Sequence, residues 1–179
     1  MKTRAIRSDV PPGSAINARL PGAYFHDCYV VISVPDTTRT ALGYFLTAVE
    51  NTPPWVNSLM ALRNKIVWFS GLKDLGGLGE LNPSKPASAY ALGDRVGIFT
   101  LISNSPNEVL LGDRDKHLDV VLSVYKHPPG QGGVQPVSVT TVVHIHNLLG
   151  RIYMLPVTPL HKLIAPAVLN RIMGGQNAV

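Results

Sequence analysis

The chain has 179 residues, 45% of them hydrophobic and 15% charged, with 16 Gly, 15 Pro and a single Cys. That length suits one domain able to bury roughly 70% of the surface its unfolded form exposes, and the composition excludes a disordered, fibrous or disulfide-stapled protein. The formal charge of +5 does not read as a nucleic-acid footprint, because Lys2, Arg4, Arg7, Arg63, Lys65, Arg114, Lys116, Arg151, Lys162 and Arg171 are scattered rather than gathered in one stretch.

Cys28 has no partner for a disulfide and lies in the apolar run Cys28-Tyr29-Val30-Val31-Ile32, which marks it as a buried, inert thiol. No uncharged apolar stretch reaches the roughly 18 residues needed to span a bilayer, and the basic N-terminus lacks the apolar core of a signal peptide. The expected location is cytoplasmic.

Residues 1–19 mix Arg, Ser, Pro and Gly and read as an arm lying over the fold, with one domain expected over 20–174 and a tail at 175–179. Asp27 to Val34 predicts a strand with both faces largely apolar. After Pro35, Asp36 is placed to cap a helix whose stripe is Ala41, Leu42, Phe45, Leu46 and Val49. Thr52-Pro53 predicts the start of a second helix carrying Val56, Leu59, Met60, Arg63 and Val67.

The stretch from Gly71 to Pro86 is rich in Gly and Pro and reads as a loop near a pocket mouth. Its Gly76-Gly77-Leu78-Gly79 has neither the spacing of a phosphate-binding loop nor a following helix to offer amides. No cofactor motif is present. From Tyr90 the period changes to two: Val96 to Ile102, Glu108 to Leu111, Lys116 to His127 and Val137 to His146 predict an antiparallel meander, with turns at Asn104 to Asn107 and Gly112 to Asp115. Thr158-Pro159 predicts the start of a C-terminal helix with Leu160, Leu163, Ile164, Ala167, Val168 and Ile172 on one side and a bend at Pro166.

The order strand, two helices, antiparallel strands and long last helix gives an α+β fold of the helix-grip type, a curved sheet around the C-terminal helix. Several segments carry a closer resemblance: Leu20-Pro21-Gly22-Ala23-Tyr24 with Asp27, Pro54-Trp55, Leu59 to Asn64, Glu108 to Gly112, Asp115 to Asp119, Thr141-Val142-Val143, His146-Asn147, Gly150-Arg151, Tyr153 and Val157 to His161. In these the chain resembles the bacterial domain-of-unknown-function family numbered 2867, over nearly all of the sequence after the arm. That family is similar to START and Bet v 1 type ligand-binding proteins, which implies an apolar small-molecule pocket but brings no established substrate or catalytic set. Similar domains follow nucleotide-binding dehydrogenase-like domains, whereas this chain has no strand-linked G-x-G-x-x-G.

Asp113, Asp115, His117 and Asp119 are spaced by two and would share one face of an extended segment, with His144 and His146 as further ligands if a metal were held there. The polar outer face of a half-solvated sheet is the preferred account of the row, and no metal site is assigned. A second set, Glu108, His117, His146, Arg151, Tyr153 and His161, is expected to border a pocket, with Trp55, Met60, Phe99, Leu160 and Ile164 as its apolar lining and Trp68 and Phe69 also turned inward.

The leading expectation is a binding module for an apolar or amphipathic small molecule held between the sheet and the last helix. Two alternatives stand beside it. One is an enzyme of cyclase, isomerase or hydrolase type with a His base and Arg151 or Tyr153 stabilising negative charge. The other is an interaction module docking on a partner protein or a second copy.

Overall fold

A computed structural model describes residues 4–33, 38–68, 81, 85–130 and 134–172. The fold is α+β, built on one antiparallel sheet of seven strands in the order β1-β2-β7-β6-β5-β4-β3. β1 (Ile6–Arg7) borders β2 (Phe25–Ser33), and β3 (Arg95–Val96), β4 (Phe99–Asn104), β5 (Glu108–Arg114), β6 (Leu118–Lys126) and β7 (Gln135–Ile145) follow one another as a meander. The helices α1 (Ala41–Glu50) and α2 (Pro54–Trp68) come between β2 and β3, and α3 (Leu148–Leu169) ends the fold.

Because side chains alternate along a strand, the register divides the sheet into two faces. Asp27 pairs with Thr141, Leu122 with Thr141, and Leu111 with Leu122, so these residues share the inner face with Phe25, Tyr29, Val31, Val109, Val124, Val137, Val139 and Val143. That face meets Ala41, Leu42, Tyr44, Phe45, Ala48 and Val49 of α1 in the main core, together with Leu169 at the end of α3 and Ile172 just after it. The outer face carries a second cluster of Leu110, Val121 and Val142, covered by Ile16 from a 3-10 turn at Ala15–Arg19, with Val10, Leu20 and Ala23 around it. The N-terminal arm is thus the lid of the outer face.

Thr40 caps α1, its hydroxyl accepting from the Gly43 amide at 3.1 Å. Asp36, the cap expected from sequence, lies outside the described residues. For α2 the Pro53 carbonyl takes the first bonds, from Val56 and Asn57. The Thr52 hydroxyl is buried with no hydrogen-bond partner among the described residues, so Thr52 is not the cap. Most of the Gly71 to Pro86 loop lies outside the described residues, as do Phe69 and the Trp68 side chain.

The expected strand from Val96 to Ile102 is interrupted. Gly97 takes φ +60°, a conformation that turns the chain back, so that β3 pairs with β4 as a small hairpin. The next expected turn also moves. β5 runs on to Arg114, and the hairpin closes over Asp115, Lys116 and His117, where the Asp115 carboxylate accepts from the amides of His117 (2.6 Å) and Leu118 (3.1 Å). An aspartate bonding the amides two and three residues on is a stronger turn signal than the glycine at 112.

The largest departure is α3. It starts ten residues before Thr158, at an Asn147 cap whose side-chain oxygen accepts from the Gly150 amide at 3.1 Å. Pro156, Pro159 and Pro166 lie inside it. Each proline removes a bond to the carbonyl four residues earlier, and those carbonyls belong to Ile152, Leu155 and Lys162, all exposed, where water replaces the lost donor. Helix interruption is therefore cheap on that side, which is why Thr158-Pro159 does not mark a start.

After β6, burial holds the His127 imidazole below its ordinary value, with its Nε2 sharing a hydrogen bond of 2.6 Å with the Ser138 hydroxyl. The folded protein therefore binds this proton less readily than the unfolded chain does. Its contribution is complete above the unfolded value near 6.5 and is lost as pH falls through the lower folded value. Urea unfolding at pH 7 and pH 5 should show a smaller acid loss of stability in His127→Gln than in the parent chain; equal losses would place the acid sensitivity elsewhere.

Candidate functional site

The inner face is not covered completely. Between α3, α2 and the strands lies a cavity of about 230 Å³. Its walls are Phe25, Leu118, Val120, Leu122, Thr141 and Val143 from the sheet, Leu59 and Met60 from α2, Ile98 and Phe99 from the meander, and Tyr153, Met154, Val157, Leu160, His161 and Ile164 from α3. The lining is overwhelmingly apolar, with Asp113 and Asp115 at one end. Asp113 is tied to Arg95 at 3.3 Å and Asp115 is engaged in its turn.

α3 faces this space through residues three and four apart. Tyr153, Met154, Val157, His161, Ile164 and Val168 are buried or half-buried, while Leu148, Arg151, Ile152, Leu155 and Lys162 are exposed. The one polar group on the inner stripe at mid-helix reaches across to β2: His161 Nε2 lies 3.0 Å from Asp27 Oδ1. The Asp27 side chain is 2% exposed and that of His161 22%. The Phe25 ring stands edge-on to the imidazole, centroids 5.6 Å apart.

A carboxylate only accepts, so Nε2 is the donor in this bond, and Nδ1 is the ring nitrogen left to a guest. The second carboxylate oxygen, Oδ2, is buried with no hydrogen-bond partner among the described residues. Next along β2, burial pushes the Tyr29 hydroxyl above its ordinary range, and the Asp27 charge adds to the shift. On the other face of β2, burial likewise raises the Cys28 thiol, which makes it a poor nucleophile.

Of the residues singled out in the sequence, the structure brings Met60, Phe99, Tyr153, Leu160, His161 and Ile164 to the cavity. Five lie elsewhere. Trp55 is exposed on α2. His117 sits at the β5–β6 turn beside Asn147. The Asn147 oxygen is occupied as the α3 cap, so its amide group donates to the Lys116 carbonyl (3.0 Å) and meets His117 Nδ1 at 2.9 Å, which fixes His117 as a structural partner of the helix start. His146 Nε2 is 3.0 Å from Asp119 Oδ1, which also faces Arg114 Nε at 3.4 Å and has no hydrogen-bond partner among the described residues. Arg151 is exposed and lines a separate recess at the start of α3 with His146 and Asn147.

Glu108 belongs to the outer face and holds the arm. Its carboxylate accepts from the Ser14 hydroxyl (2.5 Å), the Ala15 amide (2.9 Å) and the Ser123 hydroxyl (2.7 Å). Charge-assisted bonds of this kind carry about 1.5–3 kcal/mol each before mutual dependence is counted. Glu108→Ala should therefore cost roughly 2–4 kcal/mol and speed tryptic cleavage after Arg19, read by thermal melting and limited proteolysis. An unchanged cleavage rate would mean that the apolar seat of Ile16 holds the arm by itself.

The Asp-His row is divided by the turn. Asp113 is on the inner face, Asp119 on the outer, and Asp115 and His117 lie in the turn between. Among the described residues no three His, Cys, Asp or Glu side chains come together as metal ligands. The residue that sequence reasoning passed over is Asp27. A carboxylate inside an otherwise apolar strand needs a partner, and that was its available signal. Phe25, Thr141 and Val157 gave none, since apolar or small residues on strands and helices look the same in a core and in a cavity wall.

The arrangement of β2, the meander and α3 spans the region that a family model recognises. The chain belongs to the DUF2867 family. That family, described as a protein of unknown function, matches residues 19–168, from the end of the 3-10 turn to the last turn of α3. No curated protein and no solved structure matches this DUF2867 chain. The matched segment contains both members of the Asp27–His161 pair and every residue of the cavity wall, and it leaves out most of the arm.

Proposed function

We propose that the chain is a binding protein for a small apolar or amphipathic molecule held under α3, in an arrangement of the helix-grip, START and Bet v 1 type. The observation that carries the reading is the cavity itself: an apolar enclosure on the inner face whose mid-helix polar group is a His oriented by a buried Asp. Binding sites for small molecules have this make-up, apolar walls with few placed polar groups, and at about 230 Å³ the space is somewhat smaller than their usual roughly 300–1,000 Å³. A guest of one or two rings or a short acyl chain fits such a space, with one hydrogen-bonding group directed at His161.

Native mass spectrometry of freshly purified protein, followed by thermal shift with aromatic and short-chain amphiphiles, tests the reading. A retained or added guest should raise the melting temperature in the parent and not in Val120→Phe, which fills the cavity. At a concentration a hundredfold above Kd the stabilisation is about 2.7 kcal/mol. No retained mass and no response to any amphiphile would end the proposal.

A second reading is favoured by one feature, the imidazole aligned by a carboxylate. A His held in this way is suited to accept a proton from a guest, as in an isomerase or hydrolase, with Tyr153 as a further polar group lining the same cavity. Glu108, His117, His146 and Arg151 have no place in such a scheme, since none lines the cavity.

A further inference from the structure

The outward side of α3 is as unusual as the inward one. Leu148, Ile152, Leu155 and Leu163 are 70%, 54%, 69% and 64% exposed, and their spacing of four, three and eight puts them on a single stripe, with Pro156 and Pro159 between them. The stripe runs about 22 Å, at 1.5 Å per residue. Arg151 and Lys162 lie along one border of it, both exposed. From Val120 to the end of the sequence there is no Asp or Glu, and every charged residue in that third of the chain is Lys or Arg. By length and composition α3 also passes as apolar enough to cross a membrane. Crossing is incompatible with its other side, where Met154 and Leu169 are buried and His161 is bonded to Asp27.

We propose that this stripe lies flat on an anionic lipid surface, with the leucines in the acyl boundary and Arg151 and Lys162 on the headgroups. A helix with an apolar face, cations at its edge and no carboxylate matches that interface in both hydrophobicity and charge. A second copy of the chain fits less well. Pairing stripe against stripe sets Arg151 and Lys162 of one helix against a helix that carries no acidic side chain to receive them. The inference stands independently of any guest, but the same helix roofs the cavity, so docking would place the cavity roof at the bilayer.

Co-sedimentation with vesicles tests it, using phosphatidylcholine alone and phosphatidylcholine mixed with phosphatidylglycerol. The parent chain should sediment with the anionic vesicles, less so as salt is raised, and stay in solution with the zwitterionic ones. Arg151→Gln/Lys162→Gln should weaken partition roughly 30-fold, about fivefold for each cation. Leu155→Glu/Leu163→Glu should abolish it while keeping the parent's circular dichroism and melting curve, since both side chains point to solvent. Three results would overturn the idea: no sedimentation with anionic vesicles, equal sedimentation with both kinds, or a dimer in light scattering that Leu155→Glu/Leu163→Glu converts to monomer, which would assign the stripe to a second copy.

Discussion

Gly150→Ala should destabilise the protein by roughly 3 kcal/mol, lowering the melting temperature by about 6–12 °C, even though helix propensity alone favours Ala over Gly by about 1 kcal/mol. Gly150 lies in the first turn of α3, where the helix rests on the end of the β6–β7 pair. A Cβ there would penetrate the His117 carbonyl and come within 3.0 Å of Ile145 Cγ2. That carbonyl is fixed, because it accepts from the His146 amide at 2.8 Å. The backbone cannot yield as a flexible side chain would, so the helix start must lift, and the cavity roof with it. Gly130→Ala is the control: among the described residues its Cβ would meet only the Val134 carbonyl, at an ordinary 3.7 Å, and it should change stability by less than about 0.5 kcal/mol. Thermal or urea unfolding of the two variants decides the matter. A neutral or stabilised Gly150→Ala would mean that α3 is not seated on the hairpin as described.

The second large effect is expected at the Asp27–His161 pair. His161→Ala removes the imidazole that bonds Asp27 Oδ1, on a carboxylate that is 2% exposed and whose other oxygen has no hydrogen-bond partner among the described residues. Breaking a buried pair from one side costs about 3–5 kcal/mol, whereas replacing both partners by apolar groups of similar size is close to neutral. His161→Ala should therefore lose roughly 3 kcal/mol, and Asp27→Leu/His161→Leu should recover most of that loss. Chemical denaturation of the single and double variants forms the cycle. The double variant also separates stability from function. If it is as stable as the parent yet fails to respond to amphiphiles that the parent binds, the pair acts on the guest; if binding is unchanged, the pair is a structural tie between α3 and β2.

The sequence was informative where one face of an element is wet. On α2, β4 and α3, which keep exposed residues, the inward set of Met60, Phe99, Tyr153, Leu160, His161 and Ile164 could be recognised because polar and apolar residues alternate with the period of the element. It was uninformative where both faces are covered. In β5 the run Glu108-Val109-Leu110-Leu111 has apolar neighbours on both sides of the sheet, α1 within and Ile16 without, so the pattern gives no sign of which way Glu108 turns. The turn at Asp115 then shifts the parity of β6, and His117 leaves the face on which equal spacing would have set it.

What the amino-acid order determined by itself is local. Strand and helix periods and the Asx turn follow from interactions among residues a few positions apart. Tertiary structure alone decided that Asp27 meets His161 across 134 positions, that Glu108 clasps the arm at Ser14 across 94, and that α3 runs unbroken through three prolines. The reason is the same in each case. A buried polar group takes its partner from whatever element is packed against it, and a helix forms through prolines when packing on one side outweighs bonds whose loss on the other side is met by water.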